Sequence, residues 1–155
     1  MMIRFDDFDM RLLNELVADS NVSVPVMARK LGINQSIVYN RIKKMVKKGL
    51  IKKFTIVVDD TLLGVGVKAL VGVNRDPKFK SEIHKELMEM PEVVSFSEVT
   101  GRFDMVIIVS TRNLENLHSA VIEKIGKISG IESTETFVEL QKIDKDASYL
   151  GIEKS

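Results

Sequence analysis

Residues 23–54 read SVPVMARKLGINQSIVYNRIKKMVKKGLIKKF, two short helical patterns that meet at Gly32. In the first, Val24, Met27, Ala28 and Leu31 recur at three- and four-residue spacing and share a face. Ser23 stands at the N-cap position, and Pro25 falls in the first turn, where a missing N–H costs little. Gly32 supplies a tight turn that a residue with a Cβ makes only under strain. Asn34 caps the second pattern, whose apolar stripe is Val38, Ile42 and Met45. That stripe fixes what faces outward: Gln35, Ser36, Tyr39, Asn40, Lys43 and Lys47. Gly49 stops the helix, and residues 51–58 read as a strand.

Two short helices joined by a glycine turn, the second polar and basic on its outer side, describe a helix-turn-helix. The outward residue types suit base reading, because Gln and Asn pair bidentately with adenine and Lys reaches guanine acceptors. Gln35, Ser36, Tyr39, Asn40 and Lys43 are expected at base edges, and Arg41, Lys44 and Lys47 on phosphate. Lysine-rich surfaces also occur on ordinary helical hairpins, so the flanking chain must decide.

The charge distribution decides in favour of nucleic acid. The whole chain of 155 residues carries a net charge of only +1. Through Val58, however, eleven cations face five anions, and the remainder holds twelve cations and seventeen anions. A basic front half on an acidic back half places a nucleic-acid footprint on one domain. The chain has no cysteine, which excludes disulfide scaffolds and thiolate metal sites. His84 and His118 are its two histidines, too few for a histidine-built metal cluster, and each is expected in solvent on its helix. Asp144 and Asp146 make a poor metal site in a charged tail. With no signal-like or membrane-spanning run, a cytoplasmic protein is expected.

Before the opening stretch, Asp6 or Asp7 caps a helix whose buried stripe is Phe8, Leu12, Leu13, Leu16 and Val17, completing a three-helix unit. Residues 59–65 read as a linker between this domain, residues 1–58, and a second one, residues 66–155. There Val65, Val67, Ala69, Val71 and Val73 alternate along a strand. Asp76-Pro77 opens a helix with Phe79, Ile83, Leu87 and Met90 inward, and Pro91 ends it. Residues 93–99 and 103–110 form a hairpin around Thr100-Gly101-Arg102. Asn113 caps a helix with the stripe Leu114, Leu117, Val121, Ile125 and Ile128, and residues 133–142 form the last strand. The order βαββαβ predicts an α+β, ferredoxin-like sandwich behind the helix-turn-helix. Helices cover one sheet face. Val94, Phe96, Met105, Ile107 and Val109 are expected on the other, which then needs a partner subunit.

The whole chain resembles the Lrp/AsnC (feast/famine) family of transcription regulators. The matching features are DDFDMRLLNEL, residues 23–54, the turn TGRFDMV and the late GIESTETFVEL. The resemblance implies a DNA-binding helix-turn-helix, an effector and assembly domain, homodimers gathered into octamers, and an amino-acid effector held between dimers. It places the recognition helix at residues 34–47, with Arg41 at a typical basic position. It places the effector's α-amino and carboxylate groups on a turn containing Thr100, Gly101, Arg102 and Asp104, closed by Thr134 and Thr136 of a neighbouring subunit. Asn21 stands where the family usually has arginine, Asn34 where it has serine, and Arg102 and Phe103 vary the turn.

An architectural DNA-packaging protein with little sequence specificity is the alternative to a sequence-specific regulator, and salt dependence on specific and random DNA separates them. No nucleophile-and-base arrangement points to an enzyme, and no cofactor is expected beyond the amino-acid effector.

Overall fold

Asp6, rather than Asp7, caps the first helix in the computed structural model, which describes residues 5–143 and Lys145. Its side chain accepts the Asp9 N–H while the Asp9 side chain accepts the Asp6 N–H, a reciprocal capping box. Helix α1 (Asp7–Ala18) is followed by α2 (Val24–Leu31) and α3 (Gln35–Lys47). Ser23 holds the N-cap position of α2 without a side-chain bond, and Gly32 ends that helix at φ 70°. Asn34 accepts the Ser36 N–H at 3.0 Å and so caps α3. Leu12, Leu16, Met27, Ala28, Val38 and Met45 form the core of this unit, with Phe5, Phe8 and Ile42 against it. Val17, expected inward, is exposed.

The strand expected at residues 51–58 is absent. Residues 52–59 run without sheet pairing, and Val57 is fully exposed. Apolar content favours an extended chain, but a strand exists only by pairing, and this stretch has no partner among the described residues. The chain divides into two units, residues up to 57 and residues 58–142. Asp60–Leu63 makes a 3-10 turn capped by Asp59 where a plain linker was expected.

The second unit contains β1 (Val67–Arg75), α4 (Lys80–Glu89), β2 (Val93–Glu98), β3 (Met105–Thr111), a helical segment α5 that starts at Leu114–His118, and β4 (Ile131–Val138). The strands lie in the order β2-β3-β1-β4, all antiparallel, which is the ferredoxin-like arrangement. Helix α5 widens to π geometry over Ser119–Lys124 and tightens to 3-10 over Ile125–Lys127. Leu117, Val121, Ile125 and Ile128 are buried as their spacing predicts, whereas Leu114, at the first position of α5, is exposed. Phe79 also stays partly exposed, because it ends a 3-10 turn ahead of α4 instead of lying on its inner face. Strand β4 starts two residues earlier than expected and stops at Val138.

Sheet polarity differs from expectation. Val71 lies opposite Ile107, Val73 opposite Met105 and Ala69 opposite Val109. Directly opposed residues share a face, so Met105, Ile107 and Val109 join the helix-covered core and are fully buried. Phe96 also packs against that core, while Val94 is exposed, after a register shift between Val93 and Ser95. The open face is built by their alternates. Leu70 faces Ile108 on one side and Phe137 on the other, and all three are partly exposed. A slip of one residue in phase exchanges the two faces of a strand.

Candidate nucleic-acid interface and effector turn

The buried pair Val38 and Met45 anchors α3 on the other two helices. This leaves Gln35, Ser36, Tyr39, Asn40, Lys43 and Lys47 exposed on the helix surface, as the stripe predicts. A cleft at the start of α3 is lined by Pro25, Arg29, Asn34, Gln35 and Ser36, among others. Arg29 is therefore a cation beside the start of α3 that the helix pattern alone did not single out. Ile37 is also exposed, which gives the surface an apolar contact suited to a thymine methyl group.

Arg41 lies elsewhere than expected. Its guanidinium donates to both oxygens of Asp6, at 2.6 and 2.7 Å, and to Asp9 at 2.8 Å. It also stacks over the Phe8 ring, 4.8 Å from the centroid. Asp9 is completely buried. An ionised carboxylate is tolerated there only because a cation and a capping N–H meet it. Arg41 thus clamps α3 to the N-terminus of α1 and is not a free phosphate ligand. Lys44 leans the same way, 3.7 Å from Asp9, but its side chain remains half-exposed.

The Arg41 bond holds the Asp6 carboxyl below the usual carboxylate value of 3.8. The clamp's contribution is therefore present above that value and is lost as pH falls through the lower, folded value. In Asp6→Asn the unit should be less stable than wild type at neutral pH. The gap should close on acidification below about 3.8. Urea melts of both proteins across that range check it, and a gap that persists at the acid end would assign the effect to something other than this charge.

In the second unit the turn between β2 and β3 is pinned by its own aspartate. The Asp104 N–H donates to the Val73 carbonyl at 3.0 Å and its carbonyl accepts the Val99 N–H at 3.1 Å. One carboxylate oxygen accepts the Arg75 N–H at 3.0 Å. Thr100, Gly101 and Arg102 are exposed at the tip. Gly101 has φ 136° and open space where a Cβ would lie. Arg102 reaches across to Glu135 on β4 and lies 4.8 Å over the Phe103 ring. Phe103 covers Gly72, where a Cβ would come within 2.5 Å of the ring.

Thr134 and Thr136 lie opposite Val73 and Val71, on the helix-covered side of β4, whereas Glu135 between them lies opposite Gly72 on the open side. The groove that Thr136 borders is lined by Leu114, Leu117, His118, Val121 and Ile122, none from the turn. Within one chain, the turn residues therefore do not border the groove that Thr136 borders.

Beneath the turn lies a cluster that the sequence did not reveal. The side chain of Arg75 is nearly buried and donates to Glu98 at 2.7 Å, and His84 meets the other oxygen of Glu98 at 2.7 Å while resting on Phe96. Burial pushes the Glu98 carboxyl up, but the bonds from Arg75 and His84 outweigh it and hold the group below its usual value. His84 is thus bonded rather than simply solvated, and His118 is exposed. No cluster suited to a metal ion occurs among the described residues, and Asp144 and Asp146 lie outside them.

A three-helix unit whose third helix is polar and cationic on its exposed side, followed by a βαββαβ sandwich, defines a helix-turn-helix transcription regulator with a regulatory domain. Residues 5–52 match the winged helix-turn-helix DNA-binding family, and residues 68–149 match the Lrp/AsnC ligand binding domain. The chain is 33% identical over 147 residues to the HTH-type transcriptional regulator FL11 of Pyrococcus furiosus, covering 95% of this chain and 96% of that protein. It is 32% identical to FL11 of Pyrococcus horikoshii, covering 98% and 99%. The structure of Escherichia coli AsnC superimposes with a TM-score of 0.86 at 26% identity, covering 94% of this chain and 98% of that one. A Neisseria meningitidis transcriptional regulator solved with L-Met shares the fold, with a TM-score of 0.88 at 16% identity over 94% and 96% of the two chains. The chain belongs to the Lrp/AsnC family of transcription regulators, and it is a regulator rather than an enzyme.

Proposed function

We propose that this cytoplasmic regulator reads double-stranded DNA through α3 and responds to an amino acid bound at the 100–104 turn. The observation that carries the DNA reading is the α3 surface: one side is fixed by Val38 and Met45, and the other presents Gln35, Ser36, Tyr39, Asn40 and Lys43 to a groove. These five contact base edges, and Lys44, Lys47 and Arg29 contact phosphate. Asn40→Ala should cost about 1–3 kcal/mol on the best operator and little on random DNA. Lys47→Ala should weaken both and flatten the salt slope. Binding titrations at several salt concentrations test this, and equal losses on both DNAs for Asn40→Ala would remove the base-reading role.

The effector reading is supported by the match to a ligand binding domain. The ammonium pairs with the Asp104 oxygen not used by Arg75, and amides near Gly101 take the carboxylate. Arg102 gives the carboxylate a cation in competition with Glu135, and Thr100 borders the head group. Thr134 and Thr136 close the site from a second copy. The apolar open face around Leu70, Ile108 and Phe137 is the homodimer surface, and dimers gather into octamers. Residues 59–65 link domains 1–58 and 66–155. Because the pocket spans subunits, ligand and assembly are coupled. Calorimetry with each amino acid, with sedimentation in parallel, should find one that binds below millimolar and shifts the oligomer. If none binds, the effector site is wrong and the DNA reading stands.

A further inference from the structure

The Leu50 and Ile51 N–H groups both donate to the Met45 carbonyl, which turns the chain back at the end of α3. Residues 50–57 then line an open groove of about 520 Å³ together with α1. Its walls are apolar: Leu13, Leu16 and Val17 come from α1, and Ile51, Phe54 and Val57 from the segment after α3. Val17 and Phe54 are exposed and Val57 is fully so. Apolar side chains grouped at a surface in this way mark a place that another segment covers. The backbone here is open as well, since residues 52–58 make no backbone–backbone hydrogen bond among the described residues. Lys52 and Lys53 also line the groove, and neither pairs with a carboxylate among the described residues.

The chain itself carries a segment of matching chemistry. From Ile143 on, the chain groups with residues up to 57 and not with the sheet that precedes it. Residues 144–155 read DKDASYLGIEKS, in which Asp144 and Asp146 precede Tyr149, Leu150 and Ile152. In an extended chain Leu150 and Ile152 share one side. Anions ahead of apolar side chains complement a groove with cations beside apolar walls. We propose that residues 144–155 dock in this groove, extended along residues 52–57. Leu150 and Ile152 enter between α1 and Phe54, and the two aspartates meet Lys52 and Lys53. The open backbone of 52–57 then gains the pairing partner that an extended, apolar stretch calls for. The docked segment forms a second covalent link between the DNA-binding unit and the sheet, through β4, beside residues 59–65. A displacement of β4 is thereby passed to the helix-turn-helix.

Hydrogen exchange by mass spectrometry on the full chain tests this. Leu150→Asp should speed exchange in segments 13–20 and 52–57 about tenfold or more, with 67–75 unchanged. A synthetic peptide of residues 144–155 should restore the protection when added to that variant at about millimolar concentration, the effective concentration of a short tether. Charge reversal gives a second readout. Lys52→Glu with Lys53→Glu should speed exchange at 52–57, and adding Asp144→Lys with Asp146→Lys to that pair should recover it. If Leu150→Asp loosens the whole unit, the peptide decides: protection regained supports docking, and none regained overturns it. Exchange unchanged in Leu150→Asp overturns the proposal. Protection that survives Leu150→Asp but fades on dilution of the protein assigns the groove to a second copy and overturns it as well.

Discussion

Arg41→Ala should unfold the DNA-binding half before it tests any contact with DNA. The substitution strips Asp9, which has no exposure to solvent, of its 2.8 Å partner. What remains for that carboxylate is the Asp6 N–H and Lys44 at 3.7 Å. Breaking a buried pair from one side costs about 3–5 kcal/mol, because the surviving charge is stranded. Arg41 keeps 30% side-chain exposure, so the lower end, about 3 kcal/mol, is expected. The unit is a three-helix core of modest size, and small cores have little stability to lose. Operator and random DNA should both be lost as the helices melt.

The control separates this role from a phosphate contact. In Asp9→Asn with Arg41→Ala the stranded charge is gone, and the asparagine oxygen still accepts the Asp6 N–H. Removing both members of a pair is far less costly than removing one. The double variant should therefore regain most of the stability and, with it, most of the DNA affinity. Urea melts and DNA titrations on the three proteins check this. A double variant that is stable yet binds DNA no better than Arg41→Ala would return Arg41 to the phosphate contacts.

Why this clamp was hidden while α3 itself was legible is a matter of range. The stripe Val38, Ile42, Met45 repeats within one helix, and its periodicity fixes which side is buried. Arg41 meets Asp6 and Asp9 across separations of 35 and 32 residues, and nothing local marks an aspartate as buried. The sheet repeats the lesson. Alternation in β3 divides its residues into two sets but does not say which set the helices cover, and Met105, Ile107 and Val109 fell on the opposite side to that expected. Only the register against Ala69, Val71 and Val73 settles it. The stretch 51–58 shows the same limit, since its composition favours extension but pairing depends on a partner. At the turn, the family resemblance singled out Gly101 and Asp104, while Arg75, Glu98 and His84 beneath them converge from three different elements and carry no local mark.

Gly130→Ala should be the most damaging small substitution in the second unit, costing about 3 kcal/mol, with strain and overpacking each costing about 1–3. Gly130 has φ 89°, a conformation that an L side chain rarely adopts. An added Cβ would also lie 2.3 Å from the Cβ of Phe79. The neighbour cannot rotate away, because a Cβ is fixed by its backbone. Phe79→Ala should therefore give no rescue, whereas Phe79→Gly should remove the collision and leave only the strain. The damage should extend to the turn at residues 100–104. The Gly130 carbonyl accepts the Asp76 N–H at 2.8 Å, and the next residue, Ile131, opens β4 against Arg75. Arg75 in turn holds the Asp104 carboxylate by its N–H and Glu98 by its guanidinium. Backbone displaced at residue 130 thus reaches the turn through a single strand pair. Denaturation melts should show the loss of stability, and calorimetry should show any amino-acid binding at the turn weakened in the same variant. A Gly101→Ala control meets open space but carries the same kind of positive-φ strain, so it should lose about 1–3 kcal/mol without the collision. Stability of Gly130→Ala within about 0.5 kcal/mol of wild type would mean that the loop yields freely, and the coupling to the turn would fall with it.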